Sequence, residues 1–391
     1  MTIASTGARS RAWVEVDLGA LRANLERLRG RAGVIPMVKA DAYGLGLFPV
    51  AAALRDASPP AGPWAFGVAA VAEVEALREW GWGGRIVVFS PLPPGEYARA
   101  ARARATLALS DEEGVARWER AARDSGAELA FHVEVDTGMG RSGFPWREAE
   151  AWGRALMRTA ERCRWEGTFT HFHSADEADL APTDEQWRRF SAALETLATL
   201  RGSPATVIHV ANSAAALRRP GYAGDLVRPG IGLYGGAAGP GDLPHPVAAV
   251  KARLALIREV PAGTTVGYGA TYTARVAERW GTATIGYGDG LPRALTPAGG
   301  EALVRGRRVP IVGRISMDTT VLNLTAVEVV AEGDTATFVG CDGGERITVD
   351  EVATRCGTIS YEILTGLTSR LPRIYLDEDA RQSRAAPLSD L

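Results

Sequence analysis

Chemistry that requires a primary amine has two side-chain candidates in this chain, Lys39 and Lys251, because 42 of its 44 basic residues are arginine. Lys39 lies in Val38-Lys39-Ala40-Asp41-Ala42-Tyr43-Gly44, at the end of the apolar run Ile35–Val38. A lysine leaving a buried strand is partly desolvated. Desolvation favours the neutral amine, the form that attacks a carbonyl to give a Schiff base. Position alone also fits a strand-end lysine reaching solvent. Lys251 stands apart from the other polar clusters and reads as a solvated surface residue. A second constellation is Asp136-Thr137-Gly138-Met139-Gly140-Arg141. Just before it, Phe131, Val133 and Val135 alternate with His132, Glu134 and Asp136, which should face inward. Charges there are costly unless paired. Arg141 is their expected partner, a good carboxylate clamp by its fork geometry. A surface loop arginine is the alternative.

Further polar groups end later apolar runs: His171 and His173, His209 with Asn212-Ser213, and Arg228-Pro229-Gly230-Ile231-Gly232. Ser213 and the backbone N–H groups of Gly230 and Ile231 are a candidate phosphate cradle. Each histidine alone reads more readily as a satisfied core group than as a catalyst, and their convergence on one face shifts the balance. Downstream come Gly267-Tyr268-Gly269-Ala270-Thr271-Tyr272, Gly286-Tyr287-Gly288-Asp289-Gly290 and Gly313-Arg314-Ile315-Ser316-Met317-Asp318. These are either hairpin loops with packing tyrosines or loops that present Tyr, Met and Asp to a partner surface.

The elements that must position these groups change character near Pro246. Before it, apolar runs at 35–38, 65–68, 86–89, 106–109, 131–135, 169–172, 207–210 and 226–231 alternate with helical patterns such as 72–80, 111–123, 147–162 and 183–200. Asp17 reads as the cap of a helix over 18–28, and Thr183 with Gln186 reads as a capping box. Eight strand signals separated by helices predict an α/β fold with an N-terminal (β/α)8 TIM barrel over 11–245. An open doubly wound sheet is the runner-up. Most of the polar groups above then fall at strand C-terminal ends, the catalytic face of a barrel. Residues 246–378 carry short runs split by Gly, Pro and Asp and predict a C-terminal all-β domain. The run Trp13–Val16 precedes the first barrel helix and is a candidate to pair with that domain. The polar tail 379–391 is expected to fray.

A length of 391 residues allows two domains with full cores, and a formal charge of -2 argues against nucleic-acid binding. No stretch reaches the ~18 apolar residues of a membrane span. No signal peptide is visible in the first dozen residues. Cys163, Cys341 and Cys356 are odd in number and widely spaced, which gives neither a disulfide framework nor a metal site. A reduced, cytoplasmic enzyme is the expectation.

Taken together, VKADAYG, DTGMGRSG, HVANSAAAL, RPGIGLYG, GYGATY and GRISMD resemble the alanine racemases, pyridoxal 5'-phosphate (PLP) enzymes, from about Trp13 to Tyr375. The resemblance implies a small amino-acid substrate, a PLP cofactor and a homodimer with shared active sites. Lys39 would attach PLP and serve as one catalytic base, and Tyr268, from the other subunit, as the second. Tyr43, Ser213, the amides of Gly230 and Ile231, and Tyr361 would hold the phosphate. Arg228 would face the pyridine nitrogen, linked by His171 toward Tyr268. Arg141 and the amide of Met317 would hold the substrate carboxylate, with Tyr272, Tyr287 and Asp318 at the entrance. Three positions depart from the family pattern: Leu45 for a usual His, Ser316 for a common Cys, and Glu134 where many members carry a carbamylated lysine that orients Arg141. Glu134 is already an anion and is expected to support Arg141 without modification, directly or through water or His132. Alternatives are a racemase for serine or another small amino acid, a PLP-dependent decarboxylase of the same architecture using Cys356, and a non-catalytic PLP-handling protein.

Overall fold

The computed structural model describes residues 10–57, 62–158, 163–200 and 206–377. The tail 379–391 and the last four residues of the helical pattern 147–162 lie outside them. Six strands form one parallel sheet, ordered Ala65–Val68, Arg85–Val88, Thr106–Leu109, Leu129–Asp136, Cys163–Phe169 and Val207–His209. Their residues are almost all buried, as parallel strands covered by helices on one face and a core on the other must be. Gly33–Val34 pairs in parallel with Leu226–Val227, and Met37 bridges Gly67. Asp225 and Arg228 donate backbone N–H bonds of 2.8 Å to the carbonyls of Ile208 and Ala211. These links close the ring, so the fold is the barrel and not the open sheet. The last strand stops short of its run at 226–231 because Pro229 has no N–H to continue the ladder, and the first, Gly33–Val34, lies just ahead of its run at 35–38. The sixth strand lies earlier than its predicted run at 169–172. Its pairing with Leu129–Asp136 carries a register shift in which Phe131 and His132 oppose Trp165 and Gly167, leaving Glu166 as the extra residue.

Asp17 caps the helix Leu18–Arg29, its carboxylate accepting the Ala20 N–H at 2.8 Å. The Thr183 capping box does not form. That helix runs Ala181–Thr199 with Pro182 in its first turn, a position that suits proline, so Thr183 lies inside the helix. Gln186 instead accepts the His173 N–H and donates to the His171 carbonyl, both at 3.0 Å.

The second domain is built on a nine-stranded sheet that also takes in Ala12–Asp17. That strand runs antiparallel to Ala248–Val260 and parallel to Arg373–Leu376. The domain is β-rich and not all-β: Val349–Cys356 and Ser360–Thr365 are helices. Thr348 caps the first, accepting the Glu351 N–H at 3.0 Å, so Thr348-Val349-Asp350-Glu351 was the overlooked helix signal. Among the described residues, no helix is long and apolar enough to cross a membrane.

Lys251 is not a solvated surface residue. Its Nζ lies 2.8 Å from Glu15 Oε2 in a largely buried pair that staples the first strand to Ala248–Val260. Trp13 Nε1 donates to the other Glu15 oxygen at 3.2 Å. Lys251→Ala removes the cation of that pair and should lower unfolding free energy by about 2 kcal/mol. Urea denaturation checks this, and a midpoint equal to that of the parent protein would show the pair to be neutral.

Candidate active site at the barrel mouth

Lys39 opens a turn of unusual hand. Ala40, Asp41, Ala42 and Tyr43 all have φ between 53° and 56°, so the chain makes one left-handed turn without a glycine inside it. Each such residue costs about 1–2 kcal/mol. Polar clamps from distant segments hold it. Glu73 accepts the Ala40 N–H at 2.6 Å with one oxygen and the Ala69 and Ala70 N–H groups, at 2.8 and 3.0 Å, with the other. Asp41 accepts the Leu47 N–H at 2.7 Å. Arg373 donates twice to the Gly44 carbonyl, at 3.0 and 2.7 Å. Gly44 must be glycine: its φ is 80°, and a Cβ there would stand 2.5 Å from the Leu364 carbonyl oxygen. Leu45, where relatives usually carry His, is fully buried, and its carbonyl accepts the Tyr375 hydroxyl at 3.1 Å.

The turn delivers Lys39 to a cavity of about 260 Å³ also lined by Tyr43, Glu134, Arg141, His171, Asn212, Ser213, Arg228, Gly230 and Tyr361. Burial, then the charge of Arg141, push the Lys39 amine below its ordinary value, toward the neutral nucleophile. Burial raises both phenols, Tyr361 to about 12, so both stay protonated donors. Ser213 Oγ accepts the Gly230 N–H at 2.9 Å, and a Cβ on Gly230 would stand 2.4 Å from the Tyr43 hydroxyl. The Ile231 side chain is buried behind this wall. Three cations, Lys39, Arg141 and Arg228, thus face one carboxylate, Glu134, beside a cluster of hydroxyl donors. That donor set fits a ligand carrying both a phosphate and a carboxylate, with an aldehyde within reach of the amine.

Arg228 is only 4% exposed. It donates to the carbonyls of His209, Thr170 and Val210, the latter two at 3.0 and 3.3 Å. Its Nη2 also lies 3.2 Å from His171 Nδ1. A guanidinium has only donors, so His171 Nδ1 must be an acceptor and its proton sits on Nε2. Burial, then Arg228, lower His171 to about 3, so its ring is neutral.

Arg141 is not the partner of the strand carboxylates. Glu134 Oε2 accepts Ser142 Oγ at 2.7 Å and Ser110 Oγ at 3.1 Å. Asp136 Oδ1 accepts the N–H groups of Gly138 and Gly140 at 2.9 and 3.1 Å. The glycines let the loop fold back onto Asp136, which leaves Arg141 exposed along the cavity. His173 also stays out. It is exposed, with Nδ1 2.6 Å from Ser174 Oγ.

The loops of the second domain do not line this cavity. Tyr268 is 69% exposed, Met317 50% and Tyr287 41%. Asp318 pairs with Arg370 at 2.6 Å. Tyr272 donates to Glu278 at 2.9 Å and packs by Trp280. Ser316 donates to the Thr319 carbonyl at 2.7 Å. Cys356 lies away from the cavity, its thiol raised by burial and by Glu362.

His132, His171 and His209 are each held below the ordinary 6.5, chiefly by burial. The unfolded chain therefore binds more protons than the fold below that value. Stability is full above about pH 6.5 and falls as pH drops toward the folded values, at roughly 1.4 kcal/mol per histidine for the first unit below it. The denaturant midpoint at pH 5.5 should lie well below that at pH 7.5. Equal midpoints would mean that these rings charge freely in the fold.

Residues 16–238 match the N-terminal domain of alanine racemase, and residues 247–375 match its C-terminal domain. The chain is 38% identical over 376 residues to an alanine racemase of Symbiobacterium thermophilum, spanning 94% of this chain and 98% of that one. It is 36% identical over 372 residues to one of Halothermothrix orenii, spanning 93% and 96%. Among solved structures, an alanine racemase from Streptomyces coelicolor A3(2) superposes with a TM-score of 0.87 at 36% identity, over 95% of this chain and all of that one. An alanine racemase from Bacillus anthracis with bound L-Ala-P gives 0.85 at 34% identity, over 94% and 95%. Two matched domains in one chain, relatives aligned nearly end to end and a shared barrel-plus-sheet fold agree: the chain belongs to the alanine racemase family.

Proposed function

We propose that this protein interconverts L- and D-alanine with pyridoxal 5'-phosphate held at the barrel mouth. The supporting observation is the convergence of Lys39, the one lysine near the mouth, with Arg141, Arg228, Tyr43 and Tyr361 on one cavity. When bound, the cofactor supplies an electron-withdrawing ring conjugated to the substrate nitrogen, which makes the Cα–H bond acidic. Lys39 attaches the cofactor and moves the proton on one face of Cα. Tyr43, Tyr361, Ser213 and the amides of Gly230 and Ile231 hold the phosphate. Arg228 faces the ring nitrogen as a donor that keeps its proton, which makes the ring a weaker electron sink and restrains side reactions. Arg141 holds the substrate carboxylate.

Racemisation breaks a C–H bond on one face and forms one on the other, so it requires a second base opposite Lys39. Tyr268 is exposed in its own chain and away from its own cavity. This supports a head-to-tail homodimer in which each site is completed by Tyr268 of the partner subunit, with the amide of Met317 of the partner subunit at the substrate carboxylate. Tyr272, Tyr287 and Asp318 take the entrance role on the same loops. Their cytoplasmic setting and alanine as the substrate belong to this reading. Chiral chromatography across an amino-acid panel tests it; exclusive turnover of serine would favour the neighbouring racemase, and release of CO2 a decarboxylase.

Lys39→Ala should abolish both covalent cofactor attachment and racemisation; a cofactor still fixed by borohydride would move the attachment elsewhere. Neither Lys39→Ala nor Tyr268→Phe homodimers should racemise at speed. A random mixture of the two regains one intact site per mixed dimer, about a quarter of parent activity. Mixed dimers with no activity would overturn the shared site.

Glu134 supports Arg141 through Ser142, the next residue, and as a fixed anion it does so without CO2. Glu134→Gln should lower kcat/KM for alanine about tenfold, the equivalent of one charge-assisted hydrogen bond. Unchanged kinetics would leave Glu134 with no part in positioning Arg141.

A further inference from the structure

Beneath the cavity, the inside of the barrel holds a row of buried ionisable groups that the reaction does not consume. Arg228 Nη1 lies 3.0 Å from His209 Nδ1, and His209 Nε2 lies 2.8 Å from His132 Nδ1. His132 Nε2 lies 3.9 Å from Glu166 Oε2. The other Glu166 oxygen, Oε1, takes Arg85 Nε at 3.0 Å and Arg164 Nη2 at 2.7 Å. Both histidines are fully buried and Glu166 nearly so. Arg85 begins its strand and Arg228 follows the end of its own, so the row runs along the barrel axis from floor to mouth.

The row has a direction that its ends impose. Arg228 carries only donors, so His209 Nδ1 is an acceptor and its proton sits on Nε2. That proton points at His132 Nδ1, which must then accept, placing the His132 proton on Nε2, toward the Glu166 carboxylate. Hydrogen bonds set Arg228, His209 and His132 in turn, and the Glu166 carboxylate, 3.9 Å from a His132 Nε2 that has no hydrogen-bond partner among the described residues, favours the proton there through its charge. Packing leaves the rings little freedom. His209 stacks on Phe169 with centroids 4.9 Å apart and planes 13° apart. A Cβ on Gly167 would stand 2.7 Å from the His132 ring, so only glycine fits there. Glu166, the extra residue of the strand bulge, is turned to the axis by it.

We propose that Glu166, His132 and His209 are positioning residues that fix the Arg228 guanidinium beneath the cofactor ring by keeping His209 Nδ1 a hydrogen-bond acceptor. This rests on the reading that Arg228 faces the cofactor. The geometry also dictates how one substitution acts. In Glu166→Gln the amide oxygen stays with Arg85 and Arg164, so the NH2 group takes the place of Oε2 and faces His132. At 3.9 Å the loss of the carboxylate charge removes the attraction that holds a proton on His132 Nε2, and the amide dipole favours the other tautomer: the proton moves to Nδ1, and His209 turns an Nδ1–H against Arg228.

The test uses cofactor-loaded enzyme labelled with 15N-histidine, which has five such residues to assign. Long-range 1H–15N spectra should show Nε2-protonated neutral rings for His132 and His209 in the parent protein and Nδ1-protonated rings in Glu166→Gln. In that variant kcat should fall about tenfold with the alanine KM within about twofold, and the cofactor's visible absorption band should shift. Nδ1-protonated rings in the parent overturn the proposal, and this measurement stands even if the variant fails to fold. So does a Glu166→Gln enzyme with inverted rings but unchanged kcat and band. Arg228→Lys separates the underlying reading: an unchanged band and kcat there would remove Arg228 from the cofactor, whatever the ring protonation.

Discussion

A permanent cation buried at the centre of the barrel mouth is the constraint around which this structure is arranged. Arg228 cannot give up its charge to solve its desolvation, so the protein must surround it with acceptors. It does so with the carbonyls of Thr170, His209 and Val210, the last turns of two adjacent strand segments, and with the Nδ1 atoms of two histidines. The rings of Phe169 and Phe89 lie 5.1 and 5.7 Å from the guanidinium carbon. Burial still draws Arg228 down to about 10, well above neutrality, so the charge is retained. A retained charge there forces its histidine neighbours to be neutral, which decides what each can donate and where.

The lysine side of the cavity is organised on the opposite principle. Arg228 is held by satisfied bonds in a relaxed strand end. Lys39 is presented by a backbone in an unfavourable hand that persists because other segments over-determine it. Glu73 accepts its Ala40 amide, Asp41 ties it to the Leu47 amide beyond it, and Arg373 occupies the carbonyl that ends it. The Lys39 amine thus sits on a scaffold that long-range polar contacts hold in place.

Much of this arrangement was legible in the chain. The eight apolar runs, the inward alternation of His132 and Glu134, and the Asp17 cap each express a local rule. The left-handed turn did not announce itself. Ala40-Asp41-Ala42 has no glycine, and its clamps come from 33 and 329 residues away. The inward turn of Glu166 was hidden for a similar reason: a one-residue bulge breaks the alternation by which a strand is read. Lys251 looked solvated because its partner, Glu15, is 236 residues distant. Tyr268 stood out in the chain as a tyrosine flanked by glycines, and it is exposed, outside the cavity of its own chain.

The Arg373 clamp has a consequence for the order of events when the chain is made. Lys39 is synthesised long before the side chains that close its turn, Arg373 and Tyr375. They arrive on a strand whose neighbour, Ala12–Asp17, has waited through the synthesis of both domains. A nascent barrel can collapse early from its local βα units, but the turn that carries Lys39 lacks its Arg373 clamp until that strand docks. Presentation of the Lys39 amine is therefore coupled to the second domain: a chain truncated before that strand can hold the barrel and still lack the clamp on this turn.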